Sequence, residues 1–352
     1  MQFTHISVSF MNNSECRKGK LNTFIEWGSI EGLAGIGVAL CYCFLGAGLA
    51  EPGGCPPTCS CEETSNNMPF YRRKRFVALC IAALLFAWLQ FQVPSNEGPW
   101  NQAQVRTSWV EFDDRRLTVH NLRDFRYGAD LRTVSADYID QDFNLDNLQR
   151  AWFGLSHFGP GGMAHSLLSF EFDTRDGLRY LALSIEARLR PDQKYKPLVG
   201  MFRRYTKISV FSTEQDVIGL RSHMRGERVL LYPVDSTREK LETFFRAMAN
   251  DANALHEAPA FYNTVLDNCL TNLLKNTALA DNLSFGDLRV LLPGRSDRLT
   301  YAFDITPSDL PFDKARERAT VDPAHAEIND DNFSASLRCG WAAEACISLN
   351  DL

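Results

Sequence analysis

At 352 residues, with 45% hydrophobic and 23% charged side chains, the chain has the composition of a folded protein, long enough for one large domain or two. A formal charge of −6, and no long Lys/Arg stripe interleaved with aromatics after residue 100, argue against nucleic acid as a partner. The cysteines are uneven: Cys16, Cys41, Cys43, Cys55, Cys59, Cys61 and Cys80 come early, and only Cys269, Cys339 and Cys346 follow.

Residues 1–67 read as an extension, disordered or lying before the true start at Met68. Within it, Leu33 to Ala50 is uncharged and long enough to cross a bilayer, but basic residues on both sides conflict with a two-span hairpin. The Cys55, Cys59 and Cys61 group has C-x-x-x-C-x-C spacing without a second knuckle or nearby histidines, so no metal and no cofactor are assigned. Residues 68–95 read as a signal anchor. Arg72, Arg73, Lys74 and Arg75 stand before an uncharged run from Phe76 to Val93, and no A-x-A-like cleavage site follows. The basic cluster is expected to stay cytoplasmic. A single-pass inner-membrane anchor would then leave the main domain, residues 100–338, in the periplasm, with 339–352 as a tail.

That domain reads as α+β. Strand-like runs fall at Leu117 to Leu122, Ala164 to Phe172, Tyr180 to Arg190, Lys207 to Phe211 and Val229 to Val234, with DTRDG as a hairpin between the second and third. STREKLETFFRAMANDANAL opens with a capping box at Ser236 and Glu239, then sets Leu241, Phe244, Phe245 and Met248 on one helical face. HEAPAFYNTVLDN follows as an extended, turn-like segment.

Cys269 comes next, directly after the favoured N-cap Asn268, with Leu270, Leu273 and Leu274 at helical spacing. In a first helical turn, backbone N–H groups and the helix dipole favour a thiolate, which makes the sulfur a candidate nucleophile. An inert buried thiol is the alternative. In an oxidising compartment Cys339 and Cys346 could pair and leave Cys269 free.

A nucleophilic thiol needs a base. His5, His223, His256 and His325 stand in polar or charged contexts that read as solvated. His165 opens the strand HSLLSFEF, where a fixed backbone can aim an imidazole at a helix start; His120 and His157 compete with it. Glu186, on the return strand, could hold the other ring nitrogen, or could pair with Arg188 or Arg179 instead.

The segments NLRDFRYG, AHSLLSFEF, LSIEARLR, PAFYNTVLDNCLTNLL and NFSASLR, in this order, resemble the Lnb N-terminal periplasmic domain family of membrane-attached bacterial proteins, from about Trp100 to about Arg338. The order of strand histidine, polar residue on the next strand and Asn-Cys at a helix start also resembles the circularly permuted papain-like superfamily, with its NlpC-type and lecithin retinol acyltransferase-like members. That resemblance implies a papain-like domain with an antiparallel sheet and a nucleophile helix, in which Cys269 is the nucleophile, His165 the base and Glu186 the orienting residue. Many members have histidine or another polar group at the third position. The expected activity is that of an envelope thiol hydrolase or acyltransferase acting on an amide, ester or thioester of cell-envelope peptide or lipid. A non-catalytic binding module of the same fold is the alternative. A glycosidase, drawing on Glu111, Asp113, Asp114 or Glu171, ranks below both.

Overall fold

Period-two alternation builds the sheet at the centre of the molecule. In AHSLLSFEFDT, Leu168, Phe170 and Phe172 turn to one face, and Leu167, Ser169 and Glu171 turn to the other. The computed structural model describes residues 70–128, 132–277, 279–280, 286–306, 309–328 and 330–341. The 1–67 extension, Leu33 to Ala50, the Cys55, Cys59 and Cys61 group and most of the 339–352 tail lie outside the described residues.

Eight strands form one sheet: β1 (Trp109–Asp113), β2 (Arg116–Tyr127), β3 (Thr133–Asn144), β4 (Leu148–His157), β5 (Ala164–Thr174), β6 (Gly177–Arg188), β7 (Thr206–Ser212) and β8 (Arg228–Pro233). The order is β1-β2-β7-β6-β5-β4-β8, with β3 also on β2. All pairings are antiparallel except a single parallel bridge, Arg123 to Ser212, between β2 and β7. The five strands expected from the sequence are present. The expectation missed β1, β3 and β4, and a π-helix at Gln215–Met224.

The helix α1 (Phe70–Gln90) belongs to the unit before Phe91. It carries exposed Leu79, Leu84 and Phe86. Among the described residues, no helix is long and apolar enough to cross a membrane.

In the unit from Phe91 onward, α2 (Arg238–Glu257) lays Leu241, Phe245 and Met248 on one face of the sheet, where the Phe245 ring meets Phe170 edge-on at 4.9 Å. Its cap differs from the expected box. Thr237 is the N-cap and accepts from the Lys240 N–H, one residue later than Ser236, so Lys240 rather than Glu239 holds the third helical position. On the opposite face Trp152, Leu167 and Leu231 pack with Val217 and Ile218 of the π-helix and with Phe333. Arg338 ties the C-terminal segment to that face, donating to both oxygens of buried Glu214 at 2.7 and 2.9 Å.

Candidate active site at a forked strand pair

β5 and β6 pair from the Thr174–Gly177 turn down to Leu167 opposite Ser184, and there their pairing stops. Each strand continues on its outer neighbour: β5 along β4 as far as Ala164, and β6 along β7 as far as Arg188. The two strands therefore fork. Across the fork, the Ser166 N–H is given to the Cys269 sulfur at 3.5 Å instead of to a strand partner.

Cys269 reaches that position as the first residue of α3 (Cys269–Leu274). Asn268 caps the helix, accepting from the Leu270 and Thr271 N–H groups, while its own N–H donates to the Thr271 hydroxyl. Asp267, beside the cap, is held by Lys207 at 2.8 Å. Leu270 and Leu273 bury with α2 in the same cluster, which brings the thiol into the fork from that side. The sulfur is free and 3% exposed as a residue. Cys339 is disulfide-bonded, and its expected partner Cys346 lies outside the described residues.

His165 and Glu186 stand on the two arms of the fork and, with Cys269, line one cavity of about 750 Å³. The sequence reasoning expected Glu186 to meet the imidazole directly. Instead a serine lies between them. His165 Nε2 is 2.6 Å from the Ser184 hydroxyl, and that hydroxyl donates to Glu186 Oε1 at 2.9 Å. Because the Ser184 proton goes to the carboxylate, its oxygen must accept from the ring. Nε2 therefore carries the hydrogen, and Nδ1 is left as the basic nitrogen.

Glu186, with a side chain 14% exposed, pairs with neither Arg188 nor Arg179. Arg221 of the π-helix reaches its Oε1 at 3.3 Å and Gln104 donates to its Oε2 at 2.8 Å. Arg188 is turned to the backbone carbonyls of Gln104, Val105 and Asn96. Arg123 lies near as well, paired through two bonds with buried Asp216 at 2.7 and 3.1 Å.

These surroundings set the charges. Burial works to raise the Glu186 carboxyl, but the Arg123 and Arg221 guanidiniums outweigh it and hold the group well below the usual carboxylate range. Burial, with Arg221 next in weight, lowers the His165 imidazole to about 3. Burial pushes the Cys269 thiol up, against the pull of the Ser166 N–H and of the Ser166 hydroxyl, which has no other partner among the described residues. This corrects the expectation of a thiolate at the helix start. The donors at the helix start and at Ser166 do not offset removal of the sulfur from water, and burial disfavours the charged form of both the Cys269 thiol and the His165 imidazole.

The competing histidines are elsewhere. His120 sits between Asp140 at 2.9 Å and Glu111 at 3.4 Å, stacked on Trp109, and His157 contacts the Arg228 and Gly294 carbonyls. His325 is exposed as expected. His223 and His256 are not solvated as their sequence contexts implied. Each is half-buried, His223 between Ser222 and the Ala326 carbonyl and His256 on the Thr107 hydroxyl. His5 lies outside the described residues.

Sequence reasoning missed Ser184, Ser166, Arg221, Gln104 and the buried Tyr262. Ser184 had a signal, since it stands two residues before Glu186 and so shares its face of the strand. Arg221 and Gln104 arrive from distant segments and had none. Tyr262 lines the cavity, and its phenol is raised by burial and then by the neighbouring Cys269.

The unit from Phe91 onward is α+β, and Cys269 at a helix start and His165 on a strand line the same cleft. Residues 135–294 match the model of the Lnb N-terminal periplasmic domain family. That range holds His165, Ser184, Glu186 and Cys269, and three of the five segments that carry the resemblance; NLRDFRYG and NFSASLR lie outside it. No curated protein and no solved structure matches the chain.

Proposed function

We propose that the chain is an envelope thiol hydrolase or acyltransferase with a circularly permuted papain-like domain, acting on an amide, ester or thioester of cell-envelope peptide or lipid. The observation that carries this reading is the chain of contacts from Glu186 through Ser184 to His165 Nε2, which leaves Nδ1 basic in the cleft that Cys269 lines.

Cys269 Sγ attacks the carbonyl carbon as His165 Nδ1 takes the thiol proton. The Cys269 backbone N–H and the Tyr262 hydroxyl stabilise the developing oxyanion. The tetrahedral species collapses, the bond to the leaving nitrogen, oxygen or sulfur breaks, and His165 returns the proton to that atom. Water then releases the acid from the Cys269 thioester, or an acceptor amine or hydroxyl takes the acyl group. Glu186 and Arg221 stay paired throughout and keep the imidazole in its tautomer.

The family's description as a periplasmic domain supports a location outside the cytoplasm. We assign attachment to the inner membrane to the uncharged run from Phe76 to Val93, which follows the basic cluster and continues past the end of α1, since α1 by itself is not long and apolar enough to cross. A reporter fused after residue 352 is expected to be active on the periplasmic side, and activity on the cytoplasmic side would overturn this placement.

The chemistry is tested by incubating the full chain in detergent with a p-nitrophenyl acyl ester and reading the intact mass. An acyl adduct on Cys269, absent from Cys269→Ala, is the expected result. A non-catalytic binding module is the second reading, favoured by the raised thiol. It stands if no adduct forms and no ester is turned over.

A further inference from the structure

The loop from β6 to β7 is basic within an acidic chain. In RPDQKYKPLVGMFRR, residues 190–204, five cations, Arg190, Lys194, Lys196, Arg203 and Arg204, face one carboxylate, Asp192, although the whole chain is acidic. All five cations are exposed. Between them the loop turns apolar side chains outward: Leu198 is 76% exposed, Phe202 53% and Met201 41%. Exposed large apolar groups flanked by cations are what an interface with an anionic, amphiphilic partner requires.

The loop is fixed to the candidate site. Thr264 donates its N–H to the Gly200 carbonyl at 3.2 Å and its hydroxyl to the Pro197 carbonyl at 2.8 Å, and Asn263 Nδ2 reaches the Met201 carbonyl. These bonds come from the turn immediately before α3, whose Leu266 is 59% exposed three positions ahead of Cys269. Tyr195 and Pro197 of the same loop line the cleft.

We propose that this loop and the Asn263–Asp267 turn form a docking face for an anionic lipid bilayer, holding the mouth of the cleft against the membrane surface. The apolar tips enter the headgroup region while the cations meet lipid phosphates. A bilayer is favoured over a protein partner because the charge bias is one-sided, five exposed cations against one carboxylate, and exposed apolar side chains stand among those cations. The inference rests on the proposed periplasmic placement beside the inner membrane.

The test is hydrogen–deuterium exchange on the full chain in nanodiscs of phosphatidylcholine with or without phosphatidylglycerol, so that α1 is present in both. Amides of residues 198–204 and 264–267 are expected to exchange about tenfold more slowly on the anionic discs, and to lose that protection at high salt. Leu198→Asp with Phe202→Asp should restore the faster exchange without changing the melting temperature or turnover of a soluble ester. Equal exchange on both discs, protection that survives the double variant, or protection that needs an added soluble protein instead of anionic lipid would each overturn the proposal. Acylation of Cys269 is read separately, so its failure would sink the catalytic reading and leave the docking result intact.

Discussion

The two ends of the β5–β6 ladder are built on opposite plans. At the hairpin end the strands stay paired to Thr174 and Gly177, and Phe172 packs with Phe143 at 4.7 Å and Phe245 at 6.0 Å. At the other end the pairing is given up, and Cys269, His165, Ser184 and Glu186 gather around the opening. One end is held by apolar area, which tolerates no loss of volume; the other by directed bonds between polar groups, whose loss is felt first in chemistry. An unpaired ladder N–H, a defect at the hairpin end, is at the fork the donor that meets the sulfur.

The sharpest way to break this contrast is to damage one end at a time. Cys269→Ala is expected to abolish ester turnover while shifting stability by no more than about 1 kcal/mol, because little volume is removed. Phe172→Ala should do the reverse, costing about 3–5 kcal/mol in urea melts with turnover per folded molecule retained. Loss of activity in both variants without loss of stability in either would erase the distinction.

Within the fork the next largest effect belongs to the base. His165→Gln should lower kcat by about 10²–10⁴-fold at little change in KM, since the general base is lost and the cleft is kept. Smaller still are Ser184→Ala and Glu186→Gln, each expected to reduce kcat by about tenfold by loosening the imidazole. Their effects should not add, because both act through one contact chain. Glu214→Gln, which weakens the Arg338 pair at the N-cap of the π-helix, should lower stability and spare kcat, as kinetics and melts of the variant together would show.

The gentlest probe is pH. The folded chain keeps His165 neutral down to about 3, whereas the unfolded chain takes a proton near the ordinary histidine value of 6.5. Between those limits the unfolded state binds more protons. The stability present above 6.5 is therefore lost as pH falls toward 3, with a slope of up to about 1.4 kcal/mol per pH unit. His165→Gln should flatten that slope in melts taken across the acid range. In the intact protein kcat/KM should show no acid limb near 6.5, unlike a site that rests as a thiolate and imidazolium.

Much of this fork was legible in the sequence because its parts are local. Asn268 announced a helix start, DTRDG announced the hairpin, and HSLLSFEF announced the strand that His165 opens. β1, β3 and β4 escaped for a different reason. In VSADYIDQDF of β3 nearly every other residue is polar and half-exposed, so there is no apolar face to read, and β4 is buried on both faces, which hides the period of two. The protonation of the thiol was misread because a helix start is visible in sequence and burial is not. Gln104 and Arg221 could not be placed at all, since only tertiary folding brings residues 82 and 35 positions away to the same carboxylate.

The π-helix sets a length requirement on the site. Asp216 and Arg221 are five positions apart, and on an α-helix at 3.6 residues per turn they would point about 140° away from one another. The wider turn, with its i to i+5 bonding, lets Asp216 hold Arg123 while Arg221 holds Glu186. Gly219, between them, lies where a Cβ would come within 2.6 Å of Ile328, so the segment has no room to shift sideways. The spacing itself thus decides whether both ion pairs form. Regularising the segment to an ordinary α-helix at unchanged length would turn Arg221 off its carboxylate, with every residue named at the fork still present, whereas deleting one residue from 217–220 would return Asp216 and Arg221 to i,i+4 positions about 40° apart on one face.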